Sequence, residues 1–101
     1  MKTKPITFLL SFSFLFLFSG SVYGEEPEVK REYYDSGKLK KETHYKNGKQ
    51  EGLRTGWYEN GRKEYIKHYK NGKENGIRKE WDENGRLIFE GNFIDGAKEI
   101  Q

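Results

Sequence analysis

The groups in this chain that could do chemistry are few: two histidines, sixteen carboxylates among nineteen cations, and no cysteine. The missing thiols exclude disulfides, a thiolate metal site, a thiol nucleophile and a lipid-modified N-terminal cysteine. Beyond the first 24 residues there is one serine, Ser36, with no histidine near it in sequence. His44 and His68 stand at equivalent positions 24 residues apart. On strands separated by a third they would lie about 10 Å apart, too far to share a metal, so they read as repeated polar surface positions. No glycine follows a strand and opens a helix, so no phosphate loop is expected. Catalytic, cofactor-binding and metal-ligating residues are therefore expected to be none, and no cofactor is implied.

What remains is charge. If the chain turns in two residues at Asn47-Gly48 and Asn60-Gly61, then Lys41, Arg54 and Lys67 fall opposite one another on three neighbouring strands. Tyr45, Tyr65 and Tyr69 share their face. Like charges directly opposed repel, and a bound anion such as a phosphorylated lipid headgroup or an acidic glycan would relieve that. The plainer reading is that the three cations splay into water and cover the rings with their stems.

The elements that would position these residues follow from a repeat. The turn glycines Gly37, Gly61 and Gly85 are 24 apart, as are Gly48, Gly72 and Gly96. Tyr33, Trp57 and Trp81 keep the same step, and so do Tyr45, Tyr69 and Phe93. Ser36-Gly37, the Asn-Gly pairs and Asp95-Gly96 cut each period into segments of strand length, and Asn-Gly favours the type I′ hairpin turn. The expected fold is all-β: an elongated antiparallel meander of about seven short strands. They run over 31–34, 39–45, 52–58, 63–69, 76–82 and 87–93, with a tail from Lys98. Two-residue turns throughout would put Gly56 opposite Tyr65, Gly76 opposite Phe93, Glu64 opposite Lys79 and Lys63 opposite Glu80. An aromatic ring over a cross-strand glycine would cover bare backbone.

Residues 1–24 read as a signal peptide. Lys2 and Lys4 precede an apolar run from Ile6 to Phe18, and Val22-Tyr23-Gly24 suits cleavage after Gly24. That run is too short for a membrane span, which needs about 20 residues. Removing the leader takes two of the nineteen cations, so the remaining chain is nearly neutral and no nucleic-acid partner is expected. Residues 25–31 read as a flexible lead-in and 32–101 as a repeat domain of about three units. Beyond the leader, ten aromatics against nine Val, Leu and Ile suit a thin sheet. Its apolar faces would seek a partner or a second copy.

Trp57-Tyr58-Glu59-Asn60-Gly61-Arg62 and Trp81-Asp82-Glu83-Asn84-Gly85-Arg86, with Tyr45-Lys46-Asn47-Gly48-Lys49 and Tyr69-Lys70-Asn71-Gly72-Lys73, resemble the bacterial variant form of the MORN repeat. The resemblance implies stacked hairpins without enzymatic activity. It also implies an antitoxin-like inhibitor of a toxin as an alternative function, since many such bacterial chains are labelled antitoxin components. An export signal argues against a cytoplasmic toxin. The favoured expectation is an exported module, periplasmic, envelope-bound or extracellular, that binds a protein or an anionic envelope component through its sheet.

Overall fold

The computed structural model describes residues 26–100; the expected leader lies outside them. Among the described residues every element is a strand: β1 (Glu28–Tyr33), β2 (Leu39–Lys46), β3 (Lys49–Trp57), β4 (Lys63–Lys70), β5 (Lys73–Glu74), β6 (Gly76–Trp81), β7 (Leu87–Ile94) and β8 (Ala97–Lys98). They form one antiparallel sheet in the order β1-β2-β3-β4-β6-β7-β8, with β5 pairing on β4. This is the expected meander. Its first strand begins earlier than the sequence suggested. Residues 28–31, read as part of a flexible lead-in, pair in register with Glu42 to Tyr45. The added strand is stabilised by ladder hydrogen bonds and by an ion pair, since Arg31 Nε lies 2.8 Å from the opposed Glu42.

The six turns are of two kinds. At Asn47-Gly48, Asn71-Gly72 and Asp95-Gly96 both residues take positive φ, from 50° to 54° at the first and 77° to 89° at the glycine. These are the expected two-residue turns. At the other three sites only Gly37, Gly61 and Gly85 have positive φ, and the loop has three residues. There the Gly61 N–H donates to Tyr58 O and the Tyr58 N–H to Arg62 O, a type I turn closed by a left-handed glycine. The extra residue is taken up at once by a bulge between Gly56 and Trp57. The register beyond is therefore the one two-residue turns would give: Gly56 opposite Tyr65, Arg54 opposite Lys67, and on the last hairpin Gly76 opposite Phe93.

Elsewhere the register departs from expectation by two residues. Between Thr43 and Tyr45 the β2–β3 pairing shifts, so Arg54 faces Thr43 and Lys41 faces Gly56. The same shift recurs one period later, where Tyr65 faces Glu80 and Ile66 faces Lys79. The expected pairs Glu64 with Lys79 and Lys63 with Glu80 do not form. The cause is local. His44 Nδ1 donates to Leu53 O and His68 Nδ1 to Ile77 O, each at 2.9 Å, and Gly52 and Gly76 take φ of 100° and 127°. A ring nitrogen replaces a ladder donor, and glycines absorb the bend that side chains would resist.

The repeats are also stitched sideways. Tyr34 Oη donates to Trp57 O at 2.6 Å, and Tyr58 Oη to Trp81 O at 2.7 Å. Asp82, the next equivalent, is a carboxylate where the earlier repeats have a tyrosine. It bonds the backbone N–H groups of Asn84 and Arg86 instead, at 2.9 Å each.

The sheet is 12 Å across its thinnest direction, and among the described residues no second layer covers it. Phe93 is the one buried hydrophobic residue among those described, beside buried Thr43, Thr55 and Glu74. Val29, Leu53 and Ile77, spaced by the repeat, are each more than 40 % exposed.

Candidate binding surface

Side chains alternate between the faces of a strand, so the pairings sort the surface. One face carries Tyr45 opposite Gln50, Thr43 opposite Arg54, and Arg54 opposite Lys67. Tyr65 stands opposite Gly56, and Tyr69 opposite both Gly52 and Glu74. All six expected binding residues, Lys41, Arg54, Lys67, Tyr45, Tyr65 and Tyr69, lie on this face. The expected row of three opposed cations does not form, because Lys41 is displaced from it. The two-residue shift moves it off the row to face Gly56, and its Nζ lies 4.0 Å from Glu32.

The rings are fixed by the backbone beneath them. A Cβ on Gly56 would lie within 2.4 Å of the Tyr65 ring, so only glycine lets that ring lie flat on the sheet. Lys67 Nζ then sits 4.8 Å from the Tyr65 ring centre, in cation–π geometry. In the last repeat the glycine under a ring is Gly91. A Cβ there would come within 2.9 Å of Phe89, whereas Gly76 abuts His68 rather than Phe93.

The charges on this face are not equally settled. Burial, then the neighbouring guanidinium of Arg78 and more weakly that of Arg54, lower the pKa of Lys67. Burial opposes the charge of Arg54 too, but the phenols of Tyr65, Tyr69 and Tyr45 around it outweigh that and raise its pKa. Arg54 Nη1 reaches Gln50 Oε1 at 3.4 Å, while its Nε is shut off from water with no hydrogen-bond partner.

Three residues outside the expected site, Arg78, Glu74 and Glu80, belong to the same face. Arg78 binds Glu74 through two hydrogen bonds, Nη2 at 2.7 Å and Nε at 2.8 Å, and Glu80 through Nη1 at 3.2 Å. Its guanidinium carbon lies 4.2 Å from the Phe93 ring centre and 5.5 Å from that of Phe89. The hydrogen bonds to Glu74 are the main reason its pKa is raised. The signal for them was in the sequence, because Arg78 stands one period after Arg54 and Glu74 one period after Gln50.

The remaining repeat positions are structural. Trp57 and Trp81 present the carbonyls that Tyr34 and Tyr58 bond, Tyr33 faces Leu39 across the first bulge, and Phe93 is buried. Gly37, Gly48, Gly61, Gly72, Gly85 and Gly96 all take positive φ in turns. On the opposite face a shallow groove of about 380 Å³ runs between Leu53, Ile66, His68, Ile77, Lys79 and Glu90. No group of three or more His, Asp or Glu side chains able to hold a metal occurs among the described residues.

The family described as MORN repeat variant matches residues 29–47, 50–71 and 74–95. No curated protein and no solved structure matches the chain.

Proposed function

Because the chain belongs to the MORN repeat variant family, we propose that it is a non-catalytic binding module, exported from the cytoplasm, that engages a protein partner or an envelope surface through its open sheet. The observation that carries this reading is the uncovered sheet itself, with one buried hydrophobic side chain among the described residues. A single layer that leaves Leu53 and Ile77 exposed on one face, and rings and cations on the other, is built to be covered. Export is supported by the sequence of residues 1–24, with its paired lysines, apolar run and small residues before Glu25.

Capture from extracytoplasmic extract tests the reading, using wild type, Arg54→Gln on the ring-and-cation face and Leu53→Asp on the apolar face. A retained protein or envelope fraction lost with one variant supports the module and names its working face. Retention of nothing, or of material indifferent to both changes, overturns it. Mass spectrometry of the native protein tests export: Glu25 as the first residue supports it, and an intact leader in the cytoplasm refutes it.

A further inference from the structure

The last two repeats solve one problem twice, and only one solution is complete. Arg78 and Arg54 are equivalent by the 24-residue step, and each lies among aromatic rings on the same face. Around Arg78 the chain supplies two carboxylates, Glu74 and Glu80, and the rings are Phe89 and Phe93. Around Arg54 the equivalent positions hold Gln50 and Gly56, and the rings are Tyr65 and Tyr69. Both carboxylates have gone, and both phenylalanines have gained a hydroxyl.

The edge left free on Arg54 is the informative part. Arg78 grips Glu74 with Nε and Nη2, the side of a guanidinium that matches the two oxygens of a carboxylate. On Arg54 that edge has no carboxylate: Nε is shut off from water without a hydrogen-bond partner, and Nη1 reaches only the neutral Gln50 amide, at 3.4 Å. Among the described residues neither Arg54 nor Lys67 has a carboxylate within ion-pair distance. A buried donor without an acceptor and two opposed cations without an anion are both costly. One ligand answers both.

We infer that the Arg54 edge receives a carboxylate from an acidic segment of a partner protein, taking the place that Glu74 fills in the next repeat. This rests on the sheet being a binding surface, and it deepens that reading by naming the chemistry recognised. The Gln50 amide swings aside, the carboxylate lies flat against Nε and Nη2, Lys67 supplies a second charge, and the Tyr65 and Tyr69 hydroxyls donate where Phe89 and Phe93 have nothing to offer. The protein's own carboxylates in this setting are side-chain groups held beside flat rings. That favours a glutamate- or aspartate-bearing peptide over a tetrahedral phosphate on a membrane.

The test titrates the protein with hexaglutamate, with inorganic phosphate and with phosphatidylglycerol vesicles, reading the Arg54 Nε–H resonance and the affinity. Hexaglutamate is expected to shift that resonance and to bind more weakly as salt rises. Gln50→Glu, which builds the missing carboxylate into the chain, should weaken hexaglutamate at least tenfold without lowering the melting temperature. Glu74→Gln should open a second site at Arg78. An Arg54 resonance that hexaglutamate leaves unmoved overturns the inference, as does Gln50→Glu binding it like wild type. Binding of phosphate or vesicles alone also overturns it. Any of these results, with partner capture still sensitive to Arg54→Gln or Leu53→Asp, would leave the binding module standing and remove only the carboxylate site.

Discussion

The two rims of the sheet are built from the same dipeptide and fold differently. Along one rim Asn47-Gly48 and Asn71-Gly72 sit between lysines and turn in two residues, with both backbones left-handed. Along the other, Asn60-Gly61 and Asn84-Gly85 follow a glutamate and close a three-residue loop in which only the glycine is left-handed. There Asn60 works through its side chain. Its Oδ1 accepts the Arg62 N–H at 2.9 Å, and its Nδ2 donates to Glu83 O in the next repeat at 3.0 Å. An Asn-Gly pair therefore fixes where this chain turns, while the residues beside it decide how. The rims also differ in charge: Lys46 faces Lys49 and Lys70 faces Lys73 on one, whereas Asp35, Glu59 and Glu83 line the other.

The comparison breaks first at what the rims share. Gly61→Val and Gly72→Val each force a β-branched residue to a φ of 92° or 85°, and each should cost about 2–3 kcal/mol in chemical denaturation. A valine tolerated on one rim alone would mean that its glycine is not strained. The sharper experiment replaces the asparagines. Asn71→Gly keeps a left-handed backbone and should stay within about 0.5 kcal/mol of wild type. Asn60→Gly loses both side-chain hydrogen bonds and should cost about 1 kcal/mol; equal losses would erase the distinction. Next, Lys49→Glu turns a like-charged pair into an attractive one opposite Lys46, with an expected gain of about 0.5 kcal/mol in low salt that fades as salt rises.

The smallest effect is local and set by pH. Backbone hydrogen bonds, that from Arg86 first, hold the Asp82 carboxyl below its usual 3.8. A carboxylate whose pKa is lowered on folding stabilises above the unfolded value and ceases to as pH falls through the folded one. The Asn84 and Arg86 amides, bonded to Asp82, should shift below pH 3.8 in an NMR titration. The Asn60–Arg62 amides, beside Tyr58 at the equivalent place, should not move there.

Much of this architecture was legible in the residues, for a physical reason. Strand ends are marked by glycines that only a turn requires, and a 24-residue step in aromatics leaves few other folds. The register survived three turns of the wrong length, because each extra residue is absorbed by its own bulge before the strand continues. It failed at His44 and His68, where a ring nitrogen captures a backbone carbonyl and two residues slip past. Side-chain capture of main chain leaves no trace in alternation, although the glycine that recurs one period apart, at Gly52 and Gly76, was its one visible mark. That slip removed Lys41 from the cationic row and left Arg54 and Lys67 in place. Arg78 went unseen for another reason. Its neutralised charge depends on Glu74, four residues back across the same slip, and alternation alone does not join them.

The thinness of the sheet has a thermal consequence. The heat capacity of unfolding scales with the apolar surface newly wetted, and a slab 12 Å thick already wets most of its own. Enthalpy and entropy of unfolding should therefore drift little with temperature, which flattens the stability curve and pushes cold denaturation far below freezing. Covering one face with a partner would restore the missing curvature. A calorimeter would register the occupant as a steeper heat-capacity step.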